Sequence, residues 1–194
     1  MKLPEIHIRL PQWIETFLQE APRQYKNRDE RMRFVIELSR RNTTFKTGGP
    51  FGAAVFDTTG HLIAPGVNLV TTANCSLLHA ETLALMLAQQ ALNSYDLSSG
   101  GREEFELVAS TAPCAMCFGA LIWSGVRRLT CGARSEDARA IGFDEGPQPE
   151  DWETALTTRG IAVTNDVLRD EAAAVLREYA AKGGTIYNPG QEII

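Results

Sequence analysis

His79-Ala80-Glu81 and, after an interval of 31 residues, Pro113-Cys114-Ala115-Met116-Cys117 are the two stretches that decide how this sequence is interpreted. Together they offer one imidazole and two thiols, which are ligand types that zinc favours, with a carboxylate beside them. Structural zinc sites usually close with four protein ligands, whereas catalytic sites use three and leave one position to water. Three ligands and an adjacent Glu therefore predict a metal that activates water, with a proton carrier next to it.

Both motifs fall at predicted helix starts. Cys114 and Cys117 are three residues apart, so on a helix they point the same way, and Pro113 suits the first turn. His79 and Glu81 are only two apart, but side chains at a first turn lean toward the N-terminus and can converge beyond the helix end. We therefore expect one zinc ion on the imidazole and the two thiols, with Glu81 as the general acid–base group.

The cysteines fit two further kinds of site less well. A lone Cys-x-x-Cys is also typical of a redox pair or of half a structural zinc site, but the sequence has no second such pair to complete a four-ligand cage. Cys75 and Cys131 are expected to be ordinary buried thiols. The stretch Gly48-Gly49-Pro50 is not a phosphate-binding loop, because no Gly-Lys-Ser/Thr ending follows it.

Length and composition set limits on the class of protein. The chain has 194 residues, which suits one domain, and four cysteines, which are too few for a disulfide-rich secreted scaffold. A net charge of −5 disfavours a polyanionic partner, so nucleic acid is not expected. We find no apolar run long enough for a signal peptide or a membrane span and expect a cytoplasmic protein without a membrane partner.

Hydrophobic periodicity gives the order of elements. An initial hairpin followed by alternating strands and helices predicts an α/β fold, with a mixed sheet covered by helices on both faces. Ser135 is the candidate N-cap of one helix and Gly183 the candidate C-terminal cap of the last. The predicted helices cover residues 14–20, 31–42, 79–92, 114–124, 135–140, 152–158 and 167–182, and the predicted strands cover 53–57, 62–71, 105–110, 128–132 and 161–164.

Over about residues 31–146 the sequence resembles the cytidine-deaminase-like zinc hydrolases. Within that superfamily it resembles the bacterial guanine deaminase branch. Besides the two zinc motifs, the resemblance rests on residues 48–52, 66–68, 122–123 and 142–146. It implies a three-layer α/β/α sandwich around a mixed five-stranded sheet. It also implies a homodimer whose subunit is a single domain, 1–194, with extensions at 1–30 and 147–194 around the catalytic core.

The resemblance further implies hydrolysis of guanine to xanthine and ammonia with one zinc ion per subunit, and the longer chain is similar to a subgroup that also accepts ammeline. Relatives often have Asp where this sequence has Glu145, so the geometry there departs from the pattern. The implied metal ligands are His79, Cys114 and Cys117; the implied catalytic residues are Glu81 and Glu145; the implied substrate-binding residues are Asn68 at the carbonyl edge, Phe51 and Phe143 on the ring, and Ala80 and Trp123.

Two other functions remain open from the sequence. One is a polynucleotide or other base deaminase, such as a tRNA adenosine or cytosine deaminase. A polynucleotide substrate needs a basic surface, and the only dense positive stretch, 23–41, is interrupted by acids. The other is a non-catalytic zinc-binding module in which Glu81 is idle. Ammonia release from free bases separates these possibilities.

Overall fold

The computed structural model describes residue 5 and residues 7–98 and 104–190. Its sheet is built from β1 (Gly52–Asp57), β2 (Leu62–Val67), β3 (Phe105–Thr111), β4 (Arg128–Ala133) and β5 (Ala162–Thr164). The strand order is β2-β1-β3-β4-β5. β1 is antiparallel to both of its neighbours, whereas β3, β4 and β5 are parallel. The predicted mixed five-stranded sheet is confirmed.

The predicted elements are all present, and their ends agree with the structure to within a few residues, with one larger difference. The predicted strand 62–71 is too long, because β2 ends at Val67 and a short helix that the sequence did not predict follows. Oδ1 of Asn68 accepts the backbone N–H of Val70, and this local turn diverts the chain from the sheet. The helices are α1 (Gln12–Glu20), α2 (Arg28–Thr44), α3 (Val70–Ala73), α4 (Ala80–Ala91), α5 (Ala115–Ser124), α6 (Ser135–Ala140), α7 (Trp152–Thr158) and α8 (Arg169–Ala181).

The two predicted caps have different outcomes. The N-cap of α6 is Arg134, not Ser135, and its backbone N–H donates to the Asp137 carboxylate. Ser135 is instead the first helical residue, because the acidic side chain one turn inside the helix already satisfies the N-terminus. Gly183 does follow the end of α8 with φ +70°, as a C-terminal cap requires.

Successive side chains of a strand contact different helices, and this divides the molecule into three layers. Ala53 and Val55 of β1 join the cluster that includes residues of α4 and α5, whereas Ala54 and Phe56 join the cluster that includes residues of α2 and α8. Successive side chains of a strand point to opposite faces, so one strand supplies both cores. The α/β/α sandwich is confirmed. Cys131 is buried as expected, but Cys75 is only half-buried.

Strand direction explains where the site forms. β2 and β3 are both antiparallel to β1, so they run the same way and their carboxyl ends lie at one edge of the sheet. α4 and α5 begin beyond that edge, and the segment that enters β1 arrives there too. α4 lies directly on β2, since a Cβ at Gly66 would be 2.1 Å from the carbonyl oxygen of Ala80. Both zinc motifs are therefore brought together by topology.

The N-terminal region packs onto α2 through aromatic side chains. Trp13 of α1 stacks on Phe45 with ring centroids 5.6 Å apart, and the guanidinium of Arg41 lies 4.3 Å from the centroid of Phe17. The predicted helix 14–20 is confirmed as α1. Within the described ranges, every helix is too short or too polar to cross a membrane.

Candidate active site

The three predicted metal ligands converge at the starts of α4 and α5. His79 and Cys114 are the N-caps of these helices, so each helix begins one residue later than the sequence predicts, and Cys117 lies three residues after Cys114 on α5. Nδ1 of His79 is 3.5 Å from Sγ of Cys114 and 3.6 Å from Sγ of Cys117. Among the described residues, this is the one group of three His, Cys, Asp or Glu side chains close enough to hold a metal ion.

The spacing of these atoms fits zinc. Tetrahedral zinc bonded to nitrogen and sulfur at its usual bond lengths separates the two donors by about 3.5 Å. The observed 3.5 and 3.6 Å distances match that separation. The donor set of one imidazole and two thiols is also one that zinc binds in catalytic sites. The fold presents a three-ligand zinc site.

The environment favours ionisation of one thiol. The Cys117 side chain and then His79 hydrogen-bond to Cys114, and these contacts lower the pKa of Cys114 to about 4 despite burial. The backbone N–H of Cys117 contributes in the same direction, as expected at a helix N-terminus. The hydrogen bond to Cys114, together with burial, raises the pKa of Cys117 well above its ordinary value. A thiolate suited to metal binding is thus available at Cys114.

Two carboxyl groups are buried beside the ligands. Glu81, on the first turn of α4, is 8% exposed, and Glu145, in the loop after α6, is 6% exposed. Burial, followed by the negative charge of Cys114, raises the pKa of Glu81 to about 7 and that of Glu145 to about 8. Groups with a pKa near neutrality exchange protons readily under working conditions. The pair is suited to carrying protons for a reaction at the metal.

These groups share a cavity of about 520 Å³ with aromatic walls. His79, Glu81, Cys114 and Glu145 all line it. Phe51 and Phe143 also line it, and their rings meet edge to face with centroids 5.0 Å apart. Another cavity, of about 630 Å³, lies beside Arg134 and Asp166. It is larger, but the metal-ligand group does not line it, so the chemistry belongs to the aromatic cavity.

The remaining predicted site residues have different positions. Asn68 and Ala80 are not among the residues that line the cavity, although Asn68 donates its N–H to the carbonyl of the lining residue Phe51. Asn68 is 1% exposed, and its Nδ2 has no hydrogen-bond partner among the described residues. Ala80 is buried in the core, and as the first residue of α4 its backbone N–H has no acceptor within the helix. The structure does not bring Trp123 to the cavity. It is 85% exposed at the far end of α5 from Cys114.

Sequence reasoning gave no role to Tyr187, which lines the cavity. Its ring meets Phe143 at 5.1 Å, and its hydroxyl is buried without a partner among the described residues. The next residue, Asn188, accepts the backbone N–H of Asp144 and donates to the carbonyl of Gly142. No spacing in the sequence signals this arrangement, because it arises only when the segment after α8 folds back over the site.

Comparison with known proteins agrees with the geometry. The family described as "Cytidine and deoxycytidylate deaminase zinc-binding region" matches residues 25–133. A guanine deaminase of Bacillus subtilis is 34% identical over 119 residues, covering 61% of this chain and 72% of that protein.

Solved structures extend the similarity beyond the zinc region. A guanine deaminase from Nitrosomonas europaea is 52% identical, with a TM-score of 0.86 over 91% of this chain and 97% of that one. The protein NE0047 in complex with 2,6-diaminopurine is 54% identical, with a TM-score of 0.87 over 94% and 96% of the two chains. With its sheet, its three-ligand site and these similarities, the chain belongs to the cytidine and deoxycytidylate deaminase zinc-binding family.

Proposed function

We propose that this protein is a zinc-dependent aminohydrolase that converts guanine and water to xanthine and ammonia. The observation that carries the proposal is the pair of buried carboxyl groups, Glu81 and Glu145, beside a three-ligand zinc site in one aromatic-walled cavity. The similarity to two guanine deaminases supports the choice of base. In this proposal the whole chain acts as one domain.

Bound zinc would be held by His79, Cys114 and Cys117 and would supply Lewis-acid activation of water. The oxygen of the attacking water bonds to the carbon that bears the exocyclic amine, while Glu81 takes a proton from this water and passes it to a ring nitrogen of the base. The C–N bond then breaks as the added hydroxyl gives up its proton, and Glu81 and Glu145 deliver that proton to the amine, which leaves as ammonia. Their pKa values near 7 and 8 suit groups that both accept and release protons.

The cavity walls supply the contacts expected for a planar base. Phe51 and Phe143 offer ring surface for packing against a purine. Asn68 and Ala80 lie behind the cavity wall, next to the lining residues Phe51 and Glu81. In this proposal the unpaired Nδ2 of Asn68 donates a hydrogen bond to the carbonyl group of the base, and the N–H of Ala80 is a second donor. Tyr187 lines the same cavity. Trp123 is not part of this proposal.

A panel of substrates tests the assignment. Purified, zinc-loaded protein is incubated with guanine, ammeline, cytosine, adenine, their nucleosides and a tRNA, and ammonia release is measured. We expect release from guanine, with one xanthine formed per ammonia. Release from tRNA alone would favour the polynucleotide alternative, and a zinc-loaded protein that turns over no base would favour a binding module.

A homodimer is also part of the proposal. The sequence of α5 is strongly apolar, but Phe118 and Ile122 are only half-buried, and a Cβ at Gly119 would meet no atom within 4 Å. Trp123 continues this face into solvent. Such an apolar surface is suited to a second copy of the chain. Trp123→Glu should shift the mass measured by light scattering toward the monomer, and a monomeric mass in the unmodified protein would contradict the dimer.

The thiol ligands bear on location. Cys114 and Cys117 can hold zinc only while they are reduced, and all four cysteines are free. Reduced thiols are the rule in the cytosol. These reduced thiols support a cytoplasmic location, which is part of the proposal.

A further inference from the structure

The side chain of Asn42, on α2, is a buried amide that bonds to two segments, each of which contributes a residue, Phe51 or Val70, to the cavity wall. Asn42 is 0% exposed. Its Nδ2 donates two hydrogen bonds, one of 2.9 Å to the carbonyl of Gly49 and one of 2.8 Å to the carbonyl of Asn68. Its Oδ1 accepts the hydroxyl of Thr47 at 2.7 Å. Both hydrogens of this amide are therefore committed, and its oxygen is paired.

These bonds join two segments that are distant in sequence but adjacent at the cavity. Gly49 belongs to the segment that enters β1 and leads to Phe51, whereas Asn68 follows β2. A backbone bond from Asn68 N–H to the Phe51 carbonyl, 3.2 Å long, links the same two segments. Asn42 thus holds the backbone next to Phe51, which is proposed to pack against the base, and that of Asn68, which is proposed to bond to its carbonyl group.

The orientation of the Asn68 side chain follows from this arrangement. Its carbonyl is held by Asn42 and its Oδ1 is occupied by the N–H of Val70, which leaves only Nδ2 without a partner among the described residues. The packing admits little adjustment. A Cβ at Gly48 would be 1.8 Å from the Asn68 carbonyl oxygen and 2.8 Å from Nδ2 of Asn42.

We propose that Asn42 is a positioning residue for substrate choice: it holds Asn68 so that Nδ2 meets a carbonyl group on the base and discriminates against an amino group at the same place. This inference rests on the proposed function, because it assumes a purine in the cavity. Asn42 touches no substrate and acts only through Asn68. A buried donor that loses its partner is costly, and this is the source of the discrimination.

The same chain of bonds continues outward to the N-terminal helix. Oγ1 of Thr47 donates to Oδ1 of Asn42 and accepts the indole N–H of Trp13, which is 3.0 Å away. The two carbonyls require the nitrogen end of the Asn42 amide to face them, and Thr47 pairs the oxygen end. Removing the Thr47 hydroxyl perturbs Asn42 without altering any atom that lines the cavity. A Thr47 substitution should therefore disturb the structure less than a substitution of Asn42 itself.

The test compares two ligands that differ at the relevant group. 8-Azaguanine keeps the C6 carbonyl of guanine, whereas 2,6-diaminopurine carries an amino group there that cannot accept a bond from Nδ2. Dissociation constants are measured by competition or calorimetry on zinc-loaded protein in the Glu81→Gln background, which prevents turnover. The readout is the ratio of the two constants, together with the KM and kcat for guanine in the active enzyme.

Three variants and one control define the outcome. Asn42→Asp removes the two donated bonds, and Thr47→Val removes the hydroxyl while keeping the shape. Thr47→Ser restores the hydroxyl. Thr44→Val is the matched control, because within the described part of the chain the exposed Thr44 hydroxyl donates only to the Arg40 carbonyl, one turn earlier on α2.

We expect Asn42→Asp and Thr47→Val to weaken 8-azaguanine roughly 10- to 100-fold relative to 2,6-diaminopurine, as loss of one well-placed bond to a base predicts. Guanine KM should rise more than kcat falls, Thr47→Ser should restore the ratio, and Thr44→Val should not change it. In the Asn68→Ala background the Asn42 substitution should have no further effect on the ratio.

Equal weakening of both ligands, or a lower thermal midpoint with an unchanged ratio, would overturn the inference and leave Asn42 a structural residue. If Asn42→Asp does not fold, Thr47→Val and its Ser counterpart carry the same comparison. Failure of the proposed function is seen separately, as absence of guanine turnover in the unmodified protein, while the binding ratio still reports on Asn42.

Discussion

Asp144 donates its backbone N–H to Oδ1 of Asn188 across 2.9 Å, although 44 residues separate the two in the sequence. Nδ2 of Asn188 in turn donates to the Gly142 carbonyl at 2.8 Å. The side-chain amide of Asn188 thus bonds to the residues on both sides of Phe143, and one of these precedes Glu145. Within the same loop, the Glu145 carbonyl accepts the first N–H of α5. The second carboxyl group is consequently held in place from two directions.

Removing this grip should slow the reaction. Asn188→Ala loses both bonds to the loop, and we expect kcat for guanine to fall roughly 5- to 30-fold, the effect of one to two kcal/mol. Asn188→Asp keeps an acceptor for Asp144 and should lose less. Glu145→Gln should lower kcat more than it raises KM, and steady-state kinetics should rank the Asn188→Ala loss below it. An Asn188→Ala enzyme with normal kcat would show that the loop holds Glu145 unaided.

Glu81→Gln tests the main proton carrier. The substitution keeps the size of the side chain but removes its ability to take a proton from water, so kcat should fall roughly 10²- to 10⁴-fold. Zinc content should stay at one ion per subunit, because Glu81 is not in the ligand group. Kinetics and elemental analysis on the same preparation check both points. Substantial residual turnover with zinc bound would remove Glu81 from the mechanism.

Removal of zinc should destabilise the fold. A ligand that binds only the folded state stabilises it by about 4 kcal/mol when its free concentration is 1,000 times its Kd. Chelation should therefore lower the thermal midpoint, and Cys114→Ala should both lose zinc and resemble the chelated protein. Cys75→Ser is the matched control, since Cys75 is half-buried and outside the ligand group. Equal thermal midpoints with and without chelator would contradict the coupling.

Asp137 gives a pH-dependent contribution to stability away from the active site. Its carboxylate accepts two bonds from Arg169, of 2.9 and 3.0 Å, and these, followed by the backbone bond from Arg134, keep its pKa below the ordinary value. A depressed pKa stabilises the folded state above the unfolded pKa of about 4, and this stabilisation is lost as pH falls through the folded pKa.

Asp137→Asn should accordingly lower the free energy of unfolding at pH 7 by about 0.5–1 kcal/mol, as expected for a partly exposed ion pair. The difference from the unmodified protein should shrink progressively as pH falls below about 4, until below the folded pKa of Asp137 both proteins carry a neutral side chain. Denaturant unfolding across this pH range measures it. A difference that is constant from pH 7 to pH 3 would mean that the charge is not responsible.

Much of the fold could be predicted because each element carries its own periodicity. The five strands, the two zinc-bearing helices and the α/β class follow from alternation and helical spacing. Residues 68–71 were predicted to continue β2. The Asn68 side chain instead accepts the backbone N–H of Val70, and this local turn ends the strand. Such a local competition is invisible to periodicity. Ser135 failed as a cap for a similar reason, since Asp137 satisfied the helix start first.

The site was predictable where its residues are adjacent in sequence. His79, Cys114 and Cys117 are recognisable by spacing, and the structure brings them together. Residues that act through tertiary contacts were not predictable. Asn42 meets Asn68 only because α2 packs beside the entrance to β1, and Tyr187 reaches the cavity only because the chain folds back after α8. Trp123, placed near the pocket by resemblance, lies at the opposite end of its helix and in solvent.

X-ray absorption at the zinc edge of the purified protein measures the metal site on which the proposed function depends. We expect one zinc ion per chain with two sulfur neighbours at about 2.3 Å and two lighter neighbours at about 2.0–2.1 Å, one of them exchangeable. Cys117→Ala, like Cys114→Ala, should lose the ion and with it this spectrum. A spectrum with three or four sulfur neighbours, or a pure and folded protein without zinc, would contradict a catalytic site built from His79, Cys114 and Cys117.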